Sequence, residues 1–215
     1  MVGTAAVGGV VLVALGLVLT PGPNMIYLVS RTITQGRRAG LVSLLGVAVG
    51  FLVYLAAATA GIAAVFAAVP FAYSALKMAG AGYLLYLAWQ AVRPGGTPVF
   101  APEPLPPDPA WRLFGMGLVT NLLNPKIAVL YVALLPQFID PGHGSVAVQS
   151  LQLGAVQIAV ALTVNGLIVL SSATLARLLG QRPGWLRAQR LLMGGVLSAL
   201  ALRLLLTDRA RPATI

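Results

Sequence analysis

Thr20-Pro21-Gly22-Pro23-Asn24 interrupts an apolar run that begins near residue 4. Asn121-Leu122-Leu123-Asn124-Pro125-Lys126 interrupts a second run that begins near residue 113. A proline inside a helix removes one hydrogen bond and clashes with the carbonyl one turn back. Pro21 and Pro23 with Gly22 between them are therefore expected to unwind about a turn of helix. In hydrocarbon, freed backbone groups must find partners within the protein, so irregular backbone at that depth belongs where it is buried or lines a cavity. Two breaks in corresponding places of two halves are the sequence pointer to a transporter's substrate site.

The composition supports a membrane setting. Hydrophobic residues make up 59% of 215 residues and charged residues 8%, with mean hydropathy +0.92. A water-soluble surface needs several times more charge, whereas a bundle dissolved in lipid needs little. The net charge of +10 sits in short segments between apolar runs, with no long basic face, which argues against a nucleic-acid partner. There is no cysteine, which excludes disulfides and thiolate metal sites. The apolar N-terminus lacks a basic leader and a small-residue cleavage site, so it is expected to be a retained span.

Apolar segments near 4–30, 40–68, 71–92, 113–135, 146–172 and 191–206 are the candidate spans. Crossing ~30 Å of hydrocarbon takes about 20 residues; the last segment is short and must borrow residues at one end. One alternate set of connections carries Arg31, Arg37 and Arg38, then Arg93 and Arg112, then Arg177, Arg182, Arg187 and Arg190. The other set, at 69–70 and 136–145, carries no Lys or Arg. The positive-inside rule places the basic set in the cytoplasm and both termini outside, with Arg209 and Arg211 opposing. Trp111 and Trp185 fall beside cytoplasmic ends, where an aromatic belt would sit.

Seven prolines within residues 94–109 forbid a helix and favour an extended segment. Residues 93–112 thus read as a Pro-rich cytoplasmic linker between a first three-helix repeat, 1–92, and a second, 113–215. Three spans per half reverse the direction of equivalent spans. An offset of 102 sets Pro23-Asn24-Met25 over Pro125-Lys126-Ile127, and an offset of 115 sets Met78-Ala79-Gly80 over Met193-Gly194-Gly195. The expected fold class is an all-α membrane protein of six transmembrane helices, arranged as two inverted three-helix repeats with helices one and four broken. Gly46-x-x-x-Gly50, Gly80, Gly82, Gly194 and Gly195 are expected to let helices approach closely, a packing role.

At a break, carbonyls before the gap lack donors and attract a cation; amides after it, reinforced by the helix dipole, attract an anion. A zwitterion fits between the two. Asn24, Asn121 and Asn124 add neutral donors and acceptors. Lys126 lies too deep to snorkel and costs roughly 2.5–3.5 kcal/mol at mid-membrane on insertion scales. None of the acids Glu103, Asp108, Asp140 and Asp208 lies well inside a span. Lys126 then has two open roles: counter-ion to a bound carboxylate, or donor to the freed carbonyls of the first span. Lys77 is expected to snorkel to headgroups, Gln157 and Asn165 to bond between helices, and Asp140 and His143 to serve a solvated turn. No carboxylate pair, histidine cluster, activated serine or phosphate-binding loop occurs, so the chain reads as no enzyme, with no cofactor and no metal site.

Thr20-Pro21-Gly22-Pro23-Asn24, Gly36-Arg37-Arg38-Ala39-Gly40, Gly46-x-x-x-Gly50, Lys77-Met-Ala-Gly-Ala-Gly-Tyr-Leu-Leu-Tyr-Leu87, Asn121-Leu-Leu-Asn-Pro-Lys126 and Leu135-Pro-Gln-Phe138 together resemble the LysE/RhtB family of bacterial amino-acid exporters. The resemblance implies proton-driven efflux of amino acids or derivatives by a plasma-membrane protein. It points to Pro21, Gly22, Pro23, Asn24, Asn124, Pro125 and Lys126 as the substrate site, to which Asn121 is added from the break itself. Many relatives carry aspartate where Asn24 stands, and some an acid where Phe51 stands. Their absence weakens both a carboxylate proton relay and a dicationic substrate. The expectation is a secondary exporter of neutral amino acids working by alternating access in the lipid bilayer, with a homodimer left open. The alternatives are a cadmium-type metal-cation exporter and a non-transporting assembly or lipid-handling protein. The last would pack both breaks dry, with no cavity between them.

Overall fold

The computed structural model describes residues 2–68, 78, 81–86, 88–89, 92–93, 106–179 and 183–206. Among these, every regular element is helical. The helices are α1 (Thr4–Leu19), α2 (Pro23–Gln35), α3 (Arg37–Ala68), α4 (Ala110–Leu122), α5 (Pro125–Phe138), α6 (Val146–Leu179) and α7 (Pro183–Leu206). Helix α5 is α-helical only to Val129; it widens to a π-helical turn over Leu130–Leu134 and tightens to a 3-10 turn over Leu135–Phe138.

Both interruptions fall where the prolines place them. Helices α1 and α2 form one apolar span bent by 54°, and α4 with α5 form another bent by 48°. Each second half begins with proline at its first position, where a missing N–H costs nothing. Within α3 and α6, Arg37–Gly61 and Val146–Ser172 are long and apolar enough to cross a membrane unbroken. Outward-facing Leu12, Leu45, Leu167 and Leu202 are each more than half exposed, as lipid-facing leucines must be. The chain is a multi-pass helical membrane protein.

Several expected boundaries move outward. Helix α2 runs past residue 30 to Gln35 because Gly36, at φ 90°, ends it with its N–H on the Thr32 carbonyl. Helix α3 starts at the next residue, so Gly36 alone makes the turn. Helix α6 continues beyond 172 to Leu179, and α7 begins at Pro183 rather than 191. Arginines at a membrane surface do not stop a helix, so hydropathy alone clips these ends. The expected third span, 71–92, lies largely outside the described residues; 81–86 and 88–89 are helical, with Ala81, Leu84 and Ala88 in the core. Lys77, Gly80, Glu103 and Asp208 also lie outside them.

Helix α3 packs along α4 and also meets α6, while α1 and α2 both lean on α6. The α3–α4 seam is made by glycine. A Cβ on Gly46 would run into the Phe114 carbonyl oxygen, and one on Gly117 into the Ser43 carbonyl oxygen. One turn further along, a Cβ on Gly50 would press on Asn121, 2.7 Å from its Cβ. Gly194 similarly faces the Val92 side chain. Gly82 and Gly195, by contrast, have open space where a Cβ would go, so the expected close approach is absent there.

Backbone contact of this kind makes packing sensitive to a single methyl. Gly117→Ala is expected to lower the melting midpoint in detergent by several degrees, overpacking costing ~1–3 kcal/mol. Gly115→Ala, two residues away on the same helix and facing open space, should leave the midpoint unchanged or raise it slightly. Equal midpoints for the two variants would disprove the seam.

Candidate functional site

The first break begins where α1 runs out of amide donors. Pro21 has no N–H and cannot continue the helix, so carbonyls of the last α1 turn are left without helical partners. Thr20 turns its hydroxyl back to the Gly16 carbonyl at 2.6 Å. The carbonyls of Leu17 and Thr20 instead accept from Lys126 Nζ, at 2.8 and 2.6 Å. Lys126 is 5% exposed and comes from the opposite break. Of its two roles left open by the sequence, the structure shows the donor role. Two hydrogen bonds from a charged group, at ~1.5–3 kcal/mol each, are of the size needed to offset the roughly 2.5–3.5 kcal/mol of burying the lysine.

The second break is satisfied differently. Asn124 caps α5, its Oδ1 accepting the Lys126 backbone N–H at 3.1 Å. The freed Leu122 carbonyl accepts from the Tyr54 hydroxyl at 2.8 Å, and Tyr54 stacks on Tyr131 with centroids 5.6 Å apart. Tyr131 in turn donates to Gln157 Oε1 at 2.7 Å, the interhelical bond expected of Gln157. A charge closes one break and a neutral phenol the other. Helix α2 opens with no side-chain cap.

Between the breaks lies a cavity of about 30 Å³. Its polar lining comes from Thr20, Gly22, Asn24, Asn124, Lys126, Gln157 and Asn165, and its apolar lining includes Leu17, Met25, Phe51 and Leu130. Of the residues singled out from sequence, Gly22, Asn24, Asn124 and Lys126 therefore meet at one place. Pro21, Pro23 and Pro125 shape the breaks without lining the cavity. Asn121 does not line it either: it is fully buried against Gly50, and neither its Oδ1 nor its Nδ2 has a hydrogen-bond partner among the described residues. Asn24 Oδ1, in the lining, also has no partner there. Gln157 and Asn165, expected from sequence to bond between helices, both reach the cavity, and Asn165 bonds its own helix instead, at the Ala161 carbonyl. Their polarity in an otherwise apolar span was the available signal.

A second polar cluster joins α2 to the segment that leads into α4. Asp108 accepts from Arg31 Nη1 at 2.5 Å and from Gln35 Nε2 at 3.0 Å, and pairs with Arg112 at 3.0 Å. Gln35 also takes the Asp108 backbone N–H at 2.8 Å. Tyr27 lies under the Arg31 guanidinium and donates to the Leu113 carbonyl at 2.7 Å. The Gln35 amide, with Arg31 and Arg112, holds the Asp108 carboxyl below its ordinary value near 3.8. At the other end, Asp140 and His143 form the expected turn: Asp140 accepts the Gly142 N–H at 2.9 Å and meets His143 Nδ1 at 2.8 Å.

A paired helix break, a buried lysine spanning it and a small, mostly apolar cavity edged by a few polar groups define a broken-helix membrane protein of the kind that carries small solutes. The comparisons narrow this. The family model described as LysE type translocator matches residues 15–208, and the chain belongs to that family. The leucine efflux protein of Salmonella choleraesuis is 26% identical over 191 residues, 89% of this chain and 90% of that one. The homoserine/homoserine lactone efflux protein of Salmonella typhimurium is 32% identical over 161 residues, 75% of each chain. The uncharacterized membrane protein YahN of Escherichia coli is 31% identical over 115 residues, 53% of this chain and 52% of its own. No solved structure matches.

Two outcomes follow from this geometry. A Cβ on Gly22 would stand 2.9 Å from Lys126 Nζ, which is pinned on both carbonyls. Gly22→Ala should dislodge the ammonium and lower transport by roughly tenfold or more, the worth of one charge-assisted bond; unchanged transport would show that Nζ has freedom to spare. For Asp108 the depressed carboxyl makes its stabilisation complete above pH ~4, and lost only as the pH falls through the lowered value. Asp108→Asn should therefore melt below wild type by a gap that stays constant from pH 8 to pH 5. A gap that closes over that range would contradict the assignment.

Proposed function

We propose that the protein is a secondary active exporter of neutral amino acids, moving them from cytoplasm to exterior across the plasma membrane by alternating access and coupling this to proton entry. The observation that carries the proposal is the lodging of Lys126 Nζ on the Leu17 and Thr20 carbonyls, at the edge of a small cavity whose few polar groups are Thr20, Asn24, Asn124, Gln157 and Asn165. A site that holds one ammonium on two carbonyls has the chemistry to hold another. The uncapped start of α2, beside Asn24 and Met25, suits the carboxylate of the same zwitterion. Two relatives bear names of leucine and of homoserine efflux, which supports an amino acid as the solute. No carboxylate lines the cavity among the described residues, which favours solutes with one positive charge over lysine-like ones.

A volume of about 30 Å³ holds roughly one or two water molecules and is far too small for an amino acid. Binding then requires the halves to part. In this reading the Arg31–Asp108–Arg112–Gln35 cluster is the cytoplasmic closure, the termini lie outside, and the bundle is two inverted repeats of 1–92 and 113–215 joined by the 93–112 linker. Substrate contacts fall on Gly22, Asn24, Asn124, Lys126 and the newly placed Gln157 and Asn165, with Asn121 supporting α4 from behind.

An efflux screen tests this. Cells overexpressing the protein should release one or more of a panel of neutral amino acids faster than empty-vector cells, and should tolerate toxic neutral analogues or dipeptides. An uncoupler and the Lys126→Ala substitution should each abolish the difference. A panel in which no amino acid leaves faster than from control cells would overturn the proposal.

A further inference from the structure

An exporter driven by protons needs a group that takes up and gives up a proton where the solute binds. The elements around the cavity offer few. Helix α1 presents the Leu17 and Thr20 carbonyls with Ala14 and Val18; the break presents Gly22; α2 presents Asn24 and Met25; α3 presents Phe51. From the second half come Asn124, Ile127 and Leu130, and from α6 Gln157, Ala161 and Asn165. The Tyr131 phenol, close by on α5, is engaged by Gln157. None of these lining groups is a carboxylate or an imidazole. Asp108 is held by two arginines and a glutamine at one end of the bundle, and Asp140 with His143 sits in an exposed turn at the other. Among the described residues, Lys126 is the one lining side chain that can change its charge.

We infer that Lys126 is the proton carrier, and that solute and proton exclude each other because the solute's ammonium and the Lys126 ammonium need the same two acceptors, the carbonyls of Leu17 and Thr20. This rests on the amino-acid exporter reading above. Lys126 Nζ now occupies both carbonyls. Even with the halves parted, a second ammonium brought to the same two carbonyls would meet a like charge a few ångströms away, and both cannot stay charged. One N–H bond of Lys126 breaks, its proton passes to cytoplasmic water, and the neutral amine withdraws. The solute's –NH3+ then donates to the two carbonyls. The two carbonyls thus serve one ammonium at a time, that of Lys126 or that of the solute. On the outer side the zwitterion leaves intact, water delivers a proton to the free amine, the N–H bond re-forms, and Nζ returns to the carbonyls. Each cycle moves one zwitterion out and one proton in, with no step in which the freed carbonyls lack a donor for long.

The geometry also explains why no buried acid is needed. A carboxylate relay binds protons in place of a cationic solute. A lysine on backbone carbonyls achieves the same exclusion with the charges inverted, and it uses the oxygens that the helix break exposes. Gly22 belongs to this device, since its missing Cβ leaves the lysine's path open.

Binding of leucine and of homoserine to the purified full-length protein in weakly buffered solution, with a pH dye, tests the inference. Wild type should release up to one proton per leucine bound, and its affinity should weaken by up to tenfold per unit as pH falls from 8.5 to 5.5. Lys126→Gln, which keeps a donor but no titrating group, should release none, and whatever affinity it retains should be flat with pH. His143→Ala should release as many protons as wild type. Leucine binding by wild type without proton release and without pH dependence would overturn the inference while leaving the exporter reading intact. Proton release surviving in Lys126→Gln, or disappearing in His143→Ala, would overturn it equally. Failure of wild type to bind any neutral amino acid would sink both readings. If Lys126→Gln does not fold, the wild-type slope and the His143→Ala result decide.

Discussion

Backbone polar groups released inside a lipid-facing bundle have nowhere to go but other protein groups, and that requirement organises the structure around Lys126. The prolines at 21 and 23 free carbonyls at the end of α1. A buried ammonium answers two of them at once, at 2.8 and 2.6 Å. Each partner is costly alone: an unpaired carbonyl in hydrocarbon and an unpaired ammonium at mid-membrane would both be strongly unfavourable. Together they are tolerable, which is why a proline-broken helix and a deep lysine occur in the same molecule.

The lysine does more than fill a gap, because it belongs to the other break. Its backbone N–H is held by the Asn124 cap and its side chain by the end of α1, so a single residue ties the two interruptions together. The second interruption has its own arrangement, Tyr54 on the Leu122 carbonyl, reinforced by the stack on Tyr131 and the bond onward to Gln157. Symmetry of position therefore coexists with asymmetry of chemistry. The first break depends on an amine bonded to backbone carbonyls, and the second on a chain of phenol and amide groups.

What was legible in the sequence follows this logic. Proline and glycine act locally, so Pro21, Gly22, Pro23 and Pro125 announced both breaks to within a residue, and the depth of Lys126 announced a buried cation in need of partners. Composition announced the membrane. The partners themselves are three-dimensional facts: that Nζ would find Leu17 and Thr20, that Asn121 would turn away to Gly50, and that Gln157 and Asn165 would reach the cavity depends on helix rotation. An apolar-all-round helix leaves that rotation unmarked in its sequence, because lipid-facing and core-facing leucines read alike. Helix ends beyond the hydrocarbon were missed for a related reason: hydropathy detects the bilayer, and α6 and α7 do not end where the bilayer does.

The same contrast between local and distributed constraints separates the rigid parts of the bundle from those able to yield. Along α3 and α4 the backbones touch at Gly46 and Gly117, with no side chain between them to rearrange, and Gly50 makes room for the buried Asn121 side chain. Interfaces of that kind slide only by breaking contact altogether. Helix α5 is the opposite case. It follows a break, shifts from α to π to 3-10 geometry within fourteen residues, and so holds its backbone hydrogen bonds in several registers already. Enlarging a cavity of about 30 Å³ to amino-acid size is least costly where the ladder is irregular and where one releasable ammonium, rather than a seam of backbone contacts, holds the walls together. In the proposed cycle the breaks would thus be both the place where a zwitterion finds complementary charge and the place where the bundle opens to admit it.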